Sequence, residues 1–242
     1  MPDRAAVRDG RTGIPSMIGA LHGDSLSIIA EVKRSSPSKG VINQSMDSGI
    51  QASRYERGGA AAISVLTEPD RFGGRDDDIA SVRAASRLPI LKKDFHVTED
   101  QIVHAALLGA SAALVIVRAI EPSMLARLAQ AASDVGIELL YEVRDESELD
   151  RALTAGATMI GVNNRNLETL HIDPETVTRI VPRVPADCVA IAESGYSSRE
   201  AIGIAADAGA DAVLIGSALS ASSDAAEAVS MLTGIARMSR KR

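Results

Sequence analysis

A repeated pattern of small residues before apolar runs constrains the fold of this chain most strongly. A glycine followed by an alanine comes directly before a β-prone run four times, at 58–60, 108–110, 155–157 and 208–210. A glycine at such a point ends a helix and lets the chain turn sharply into a strand. The runs that follow are residues 61–68, 112–119, 158–164 and 212–217. The repeat therefore indicates helices that alternate with strands.

Four more apolar runs complete a set of eight predicted strands, over residues 27–34, 88–94, 137–143 and 188–194. Nearly continuous apolar runs are typical of parallel strands that helices cover. Helix starts are indicated at 98–100, 121–123, 197–200 and 222–224. The fold class is therefore α/β, and the predicted architecture is a single (β/α)8 barrel. No G-x-G-x-x-G follows the first strand, which disfavours a Rossmann fold.

One domain is predicted over residues 1–242, because no linker or break in composition divides the chain. Residues 1–26 are interpreted as a short N-terminal extension and residues 27–221 as the strands and helices of the barrel. Residues 222–242 are predicted to form a C-terminal helix. The acidic run at 76–78 is interpreted as the solvated start of another helix, where the helix dipole favours negative charge.

Composition excludes several classes of function. A net charge of −6, 2% aromatic residues and no tryptophan argue against a nucleic-acid binder. The single cysteine, Cys188, excludes an internal disulfide framework, and the four histidines lack metal-ligand spacing, so we expect no metal. No apolar run approaches membrane-spanning length and no secretory signal is visible. We expect a cytoplasmic protein that binds no membrane, and a monomer is favoured over an oligomer.

Charged and polar side chains mark the ends of most predicted strands. The active site of such a barrel lies where the strands end, and side chains alternate along a strand, so Glu31 and Lys33 share one face. A single strand-end charge is usually a solvated rim residue, but six such strands together indicate a site for a charged substrate. The strand-end residues are Glu31, Lys33, Lys92, Lys93, Arg118, Glu142, Asn163, Arg165 and Glu193.

Small residues follow the last two strands. Ser194 and Gly195 come after the seventh strand, and Gly216 and Ser217 come after the eighth. Turns of this kind expose backbone N–H groups that can bind a phosphate. The predicted ligand is therefore a small phosphorylated molecule.

Five segments together resemble the indole-3-glycerol-phosphate synthase family, in the same order and spacing. They are IIAEVKRSSPSKG (28–40), LKKDF (91–95), IGVNNRNLETL (160–170), IAESG (191–195) and LIGSAL (214–219). The resemblance implies a carboxy-lyase of tryptophan biosynthesis that acts on 1-(2-carboxyphenylamino)-1-deoxyribulose 5-phosphate. Such an enzyme closes a pyrrole ring and expels CO₂ and water, without a metal or an organic cofactor.

The resemblance also implies a catalytic set of six strand-end residues: Glu31, Lys33, Lys93, Glu142, Asn163 and Glu193. Lys93 is expected to be the general acid for ring closure, since Lys92 points to the opposite face of the strand. Glu142 is expected to act as a base or to stabilise developing positive charge. Glu31 and Lys33 are expected to take part in dehydration, and the division of the two protonation steps between Lys33 and Lys93 stays open.

In the remaining catalytic positions, Asn163 is expected to orient the reacting hydroxyl groups and Glu193 to complete the polar network. The expected substrate-binding residues place Ser36 and Arg165 near the anionic groups and an apolar wall beside the anthranilate ring. They are Ser36, Pro37, Phe72, Phe95, Leu114, Ile116, Arg165, Leu170 and Leu214. The expected phosphate-binding residues are Ser194, Gly195, Gly216 and Ser217.

The sequence departs from the family pattern in three places. His96 stands where an aliphatic residue is usual, and NNRN (163–166) replaces more frequent serine and aspartate residues around Arg165. Family members commonly carry a longer N-terminal extension that helps to cover the barrel mouth, and residues 15–21 resemble its last helix. Two alternatives remain beside the synthase. One is another phosphate-binding barrel of the pathway, similar to phosphoribosylanthranilate isomerase, and the other is a non-catalytic descendant that binds a phosphorylated ligand.

Overall fold

Eight parallel strands close into a barrel in the structure, a computed structural model that describes residues 3–240. Strand β1 pairs with β2 on one side and with β8 on the other, so Ile29 is in register with both Ala62 and Leu214. This closure confirms the predicted (β/α)8 barrel. The strands are β1 (Ser27–Val32), β2 (Ala62–Leu66), β3 (Ile90–Lys93), β4 (Ala112–Ile116), β5 (Glu138–Val143), β6 (Met159–Asn163), β7 (Val189–Glu193) and β8 (Ala212–Ile215).

Helices connect the strands and surround the barrel. They are α1 (Arg4–Asp9), α2 (Met17–Leu21), α3 (Ser48–Arg57), α4 (Pro69–Phe72), α5 (Asp77–Ala85), α6 (Glu99–Leu107), α7 (Pro122–Val135), α8 (Glu146–Thr154), α9 (Glu175–Ile180), α10 (Arg199–Asp207), α11 (Ser217–Ser220) and α12 (Ala225–Ser230). Short 3₁₀ turns span Val117–Ala119 and Val181–Arg183, and a hairpin pairs Ser35–Ser36 with Gly40–Val41. Within residues 3–240, no helix is long and apolar enough to cross a membrane.

The glycine–alanine turns explain the rhythm of the fold. The glycine of each turn has a left-handed backbone, with φ of 91°, 83°, 82° and 91° at Gly59, Gly109, Gly156 and Gly209. Only glycine adopts this conformation without strain, so the chain reverses from helix to strand at these points. The helix starts are fixed by side-chain caps. Thr98 forms a capping box with Gln101 at the start of α6, and Ser198 caps α10.

The N-terminal segment lies at the opposite end of the barrel from the mouth. Glu138, the first residue of β5, accepts hydrogen bonds from the Ser16 hydroxyl and from the backbone N–H groups of Met17 and Ile18. Met17 and Leu21 are fully buried in the cluster that fills the barrel interior. Helix α2 therefore closes the amino-terminal end of the barrel, and residues 15–21 do not cover the mouth.

The helix predicted over residues 222–242 is shorter than expected. Helix α12 spans only Ala225–Ser230, and the described chain beyond it runs back along the start of β1. The N–H of Leu26 donates to the carbonyl of Ile235, and Arg237 pairs with buried Asp211 at 2.6 Å. These tertiary contacts replace helical hydrogen bonds in the tail. Residues 1–2 and 241–242 of the predicted terminal segments lie outside the described residues.

Candidate active site

All of the predicted catalytic, substrate-binding and phosphate-binding residues line one cavity of about 660 Å³ at the mouth of the barrel. A cavity of this volume suits a ligand of the size of a sugar phosphate that carries an aromatic ring. The floor holds Glu31, Lys33, Lys93, Glu142, Asn163 and Glu193. The walls and rim hold Ser36, Pro37, Phe72, Phe95, Leu114, Ile116, Arg165, Leu170, Leu214, Ser194, Gly195, Gly216 and Ser217.

Lys93 occupies the centre of the floor. Its Nζ lies 2.5 Å from Oε2 of Glu193 and 3.5 Å from Oε2 of Glu142. Asn163 donates from Nδ2 to Oε1 of Glu142 at 3.0 Å, and its Oδ1 accepts from the backbone N–H of Arg165. The ends of β3, β5, β6 and β7 thus meet in one polar network, in which the ammonium group lies between two carboxylates.

The network shifts the pKa values of its members. Burial lowers the pKa of Lys93, but the carboxylates of Glu193, Glu142 and Glu31 outweigh burial and raise the pKa above its usual value. Burial also raises the pKa of Glu193 to about 7, while the charge of Lys93 opposes this shift. Lys93 therefore keeps its proton at neutral pH, whereas Glu193 exchanges its proton near neutrality.

Glu31 on β1 and Lys33 directly after it form the second charged pair, on the shared face that their spacing predicted. The Lys33 Nζ lies 2.6 Å from Oε1 of Glu31, and both side chains are largely buried. The pair lies directly over Gly216, since a Cβ at that position would be 2.2 Å from Glu31 Oε1 and 2.6 Å from Lys33 Nζ. Gly216 was predicted from its phosphate turn alone, and the structure adds that its missing side chain makes room for this pair.

Gly161 makes room for Glu193 in the same way and was not among the predicted site residues. A Cβ on Gly161 would lie 2.2 Å from Oε1 of Glu193. Glycine in the interior of a strand often marks such a close approach. The signal was present in the motif GVNN (161–164), where a glycine occupies an inward-facing position of an otherwise apolar strand.

Two of the strand-end cations do not line the cavity. Lys92 Nζ contacts Asp94 at 2.8 Å and Asp76 at 3.0 Å, and Lys93 alone of the two adjacent lysines lines the cavity, as side-chain alternation predicted. Arg118 lies in a 3₁₀ turn after β4 and pairs with Glu148 at 3.3 Å. Arg118 also lies 3.6 Å from Glu168, a residue of the cavity wall, although Arg118 itself does not line the cavity.

The two phenylalanines of the chain both line the cavity, on different loops. Phe72 ends helix α4, and the carboxylate of Glu68 caps this helix by accepting from the backbone N–H groups of residues 70, 71 and 72. Phe95 follows β3 and is 44% exposed, which leaves its ring available to a ligand. The two rings follow the neighbouring strands β2 and β3, and together they are a suitable wall for an aromatic substrate.

The turns after β7 and β8 lie side by side at the same mouth. Ser194 has φ of 67° and Gly195 has φ of 94°, so two successive residues adopt the left-handed conformation. Gly216 precedes Ser217 at the start of α11. Successive backbone N–H groups in such turns form concave anion-binding surfaces.

Comparison with known proteins decides the family. The family model described as indole-3-glycerol phosphate synthase matches residues 12–232. The chain belongs to this family. It is 46% identical over 233 residues to indole-3-glycerol phosphate synthase 1 of Streptomyces coelicolor, covering 96% of this chain and 85% of the relative. It is 48% identical over 207 residues to the synthase of Chlorobium luteolum, covering 85% and 79%.

Solved structures add support for the fold alone. Thiamine phosphate pyrophosphorylase from Pyrococcus furiosus superposes with a TM-score of 0.63 at 16% identity, covering 92% of this chain and 95% of that chain. The barrel is thus shared with a protein of another name, so the assignment to the synthase family depends on the sequence matches and not on the fold.

Asp78 was interpreted as a solvated residue at a helix start, but in this synthase-family chain it is buried. Helix α5 does begin in the acidic run, but Asp78 is buried and not solvated. Arg34 donates from Nη1 and Nη2 to its two carboxylate oxygens at 2.6 and 2.8 Å. Because Arg34 directly follows Lys33, this bidentate pair anchors the loop after β1 against α5. Sequence spacing gave no sign of the pair, since its partners are far apart in the chain.

His96, one of the departures from the synthase-family pattern, faces away from the cavity. It is buried, and its Nδ1 lies 2.8 Å from the carbonyl oxygen of Leu114. Burial and the nearby charge of Lys92 lower the pKa of His96 to about 4, so the ring is neutral at pH 7. His96 contacts the backbone of the strand that carries Leu114 and does not line the cavity.

Proposed function

We propose that this chain is an indole-3-glycerol phosphate synthase that converts 1-(2-carboxyphenylamino)-1-deoxyribulose 5-phosphate into indole-3-glycerol phosphate, CO₂ and water in tryptophan biosynthesis. One observation carries the proposal: the ammonium group of Lys93 lies between Glu193 and Glu142 on the cavity floor, beside the Glu31–Lys33 pair. The reaction requires both a proton donor and a base in one site. This floor offers two ammonium groups and three carboxylates.

Ring closure requires a proton at the ketone oxygen of the substrate. The ring carbon that bears the carboxylate attacks the ketone carbon, a carbon–carbon bond forms, and the oxygen becomes an alkoxide. Lys93 is the proposed donor of the proton that this oxygen takes up, because its raised pKa keeps it charged at neutral pH. Glu142, 3.5 Å from Lys93, is placed to stabilise the positive charge that develops on the substrate nitrogen.

Decarboxylation follows as the loss of the carboxylate from the same ring carbon. The electron pair of the breaking bond returns to the ring and restores its aromatic character, and CO₂ leaves without a proton. The bond breaks more readily in an apolar surrounding, since water stabilises the carboxylate more than it stabilises CO₂. Phe72 and Phe95 are the proposed walls of that surrounding.

Dehydration removes the new hydroxyl group as water. The leaving oxygen needs a proton from an acid, and a proton must leave the neighbouring ring carbon for a base. The Glu31–Lys33 pair supplies both functions at 2.6 Å. Two assignments satisfy this balance: Lys33 protonates the leaving hydroxyl while Lys93 serves ring closure, or the two lysines exchange these steps. Asn163 is proposed to orient the hydroxyl groups through its bond to Glu142.

Binding of the substrate is assigned to the rest of the cavity. The turns at 194–195 and 216–217 are proposed to bind the phosphate through backbone N–H groups. Arg165 and Ser36 are proposed to lie near the anionic groups of the substrate. Leu114, Ile116, Leu170 and Leu214 complete the apolar wall with Pro37.

A turnover assay with a matched pair of lysine variants tests the proposal. The purified protein is incubated with the carboxyphenylamino-deoxyribulose phosphate, and indole fluorescence is followed. Lys93→Met is expected to lower kcat by at least 10³-fold with the fold intact, because it removes the proton donor. Lys92→Met changes the adjacent lysine on the outer face and is expected to keep kcat within about threefold, while it lowers the melting temperature.

Different results would reject the synthase function and the role of Lys93. Absence of turnover by a folded wild-type protein would reject the synthase, and ligand-induced stabilisation without turnover would support the non-catalytic alternative. Full activity of Lys93→Met would show that the acid is another residue. Complementation of tryptophan auxotrophs blocked at single steps separates the synthase from an isomerase-like barrel, which would not need both lysines.

A further inference from the structure

Asn164 is a buried side chain that joins three elements next to the cavity. It directly follows β6 and is 2% exposed. Its Nδ2 donates to the carbonyl oxygen of Ser194 at 3.3 Å and to the hydroxyl of Tyr196 at 3.2 Å, and its Oδ1 accepts from the N–H of Val177 at 3.0 Å. The orientation of the amide is fixed, since the Val177 N–H can only donate and the Ser194 carbonyl can only accept.

The turn that Asn164 holds is strained. Ser194 and Leu170 are the two non-glycine residues with positive φ in residues 3–240, at 67° and 61°. Residues other than glycine rarely adopt this conformation, and it persists only where the surroundings impose it. Both residues line the cavity. Strain of this kind, at two loops of one cavity, points to a conformation that serves a ligand.

The backbone of Asn164 also holds the loop that contains Leu170. Its N–H donates to the carbonyl of Glu193 at 3.0 Å, and its carbonyl accepts from the N–H of Asp173 at 2.8 Å. Asp173 closes the loop that contains Leu170. Asn164 therefore fixes the end of β7, the turn at 194–196 and the base of the 165–173 loop.

We propose that Asn164 is a positioning residue that holds the 194–196 turn in the conformation that receives the phosphate of the substrate. This inference rests on the proposed function. Asn164 does not line the cavity, so it acts through the carbonyl of Ser194 and the hydroxyl of Tyr196. The Val177 N–H needs an acceptor and the Ser194 carbonyl needs a donor. Asparagine supplies both from one short side chain, and neither alanine nor ionised aspartate does.

The test uses two variants of Asn164 and one matched control. Asn164→Ala removes all three side-chain hydrogen bonds. Asn164→Asp keeps the acceptor for the Val177 N–H but loses both donors and places a negative charge beside the turn. Ser111→Ala removes a different buried hydrogen bond, from the Ile90 N–H at 3.1 Å, at the opposite end of the barrel. The measurements are kcat and KM, the Kd of inorganic phosphate by calorimetry, and the melting temperature.

We expect both Asn164 variants to raise KM and the Kd of phosphate about tenfold or more, with kcat lowered by no more than about threefold. Asn164→Asp is expected to be thermally more stable than Asn164→Ala and to bind phosphate no better. Ser111→Ala should lower the melting temperature and leave KM and the phosphate Kd unchanged. This separation of stability from phosphate affinity is what a purely structural role would not produce.

Opposite outcomes overturn the inference. Folded Asn164 variants that keep both KM and the phosphate Kd within twofold of wild type would refute it and leave the synthase assignment standing. If the wild type binds phosphate but shows no turnover, and the variants still weaken phosphate binding, the inference stands and the proposed function falls. A wild type that neither binds phosphate nor turns over the substrate would refute both.

Discussion

Gly161→Ala tests how tightly the floor of the site is packed. Gly161 faces the barrel interior, and its φ is not in the left-handed region, so alanine fits the backbone without strain. The added Cβ would lie 2.2 Å from Oε1 of Glu193 and 3.2 Å from Leu140 Cδ1. The clash therefore falls on one carboxylate oxygen. The other oxygen of that group is the one that contacts Lys93 at 2.5 Å.

The size of the effect follows from these distances. The carboxylate has to move by about 1 Å to restore ordinary contact with a methyl group, and a misplacement of about 1 Å can cost roughly 10²-fold in rate. That factor corresponds to about 2.7 kcal/mol in the activation barrier. Overpacking of a full interior also costs stability, by about 1–3 kcal/mol. We therefore expect kcat to fall by about two orders of magnitude, with a moderate fall in melting temperature.

The assay is indole fluorescence under saturating substrate, together with thermal unfolding. Gly203→Ala is the control, because no atom lies within 4 Å of its built Cβ and the residue sits in helix α10. Alanine in a helix interior should add about 0.5–1 kcal/mol of stability, and kcat should not change. A folded Gly161→Ala enzyme with kcat within threefold of wild type would refute the idea that Glu193 must keep its position.

Two further predictions concern residues outside the floor of the cavity. The pKa of His96 is lowered to about 4 from 6.5, so the folded state binds fewer protons and stability is lost as pH falls through that window. His96→Leu removes the titrating group and should recover about 3 kcal/mol of the stability that the wild type loses at pH 4. The measurement is urea unfolding of both proteins at pH 7 and pH 4. Equal pH dependence of the unfolding free energy in the variant and the wild type would contradict this. Glu68→Ala should raise KM several-fold with little change in kcat, because it uncaps the helix that carries Phe72. The KM of Glu68→Gln, which keeps one acceptor oxygen, should lie between those of the wild type and Glu68→Ala. Equal KM values in all three proteins would contradict this.

The barrel could be predicted because its signals are local. Each glycine–alanine turn is predicted from residues that are adjacent in the sequence. The physical reason is that the turn needs a left-handed residue, and glycine supplies it at 59, 109, 156 and 209. The inward-facing residues of a strand can also be predicted, because side chains alternate between its two faces. This alternation correctly placed Lys93, and not Lys92, on the cavity side. The predicted catalytic and binding residues consequently line one cavity.

The contacts that hold the site together could not be predicted, since each joins residues from distant parts of the chain. Arg34 pairs with Asp78 across 44 positions, and Asn164 bonds to Tyr196 across 32. An aspartate in an acidic run at a helix start gives no local sign of burial. The C-terminal tail departs from its helical prediction for the same reason, because its backbone bonds to Leu26 outweigh local preference.

The two close glycines suggest how such a floor can be found in a sequence. Glu31 on β1 lies over Gly216 after β8, and Glu193 on β7 lies over Gly161 on β6. In each case a buried carboxylate needs a cation beside it. A side chain on the neighbouring residue would fill the volume that this ion pair occupies. An acidic residue at the end of one barrel strand and a glycine at an inward position of the adjacent strand therefore belong together. The glycine has no side chain to take part in the reaction, yet without it the lysine and the carboxylate could not both be buried at contact distance.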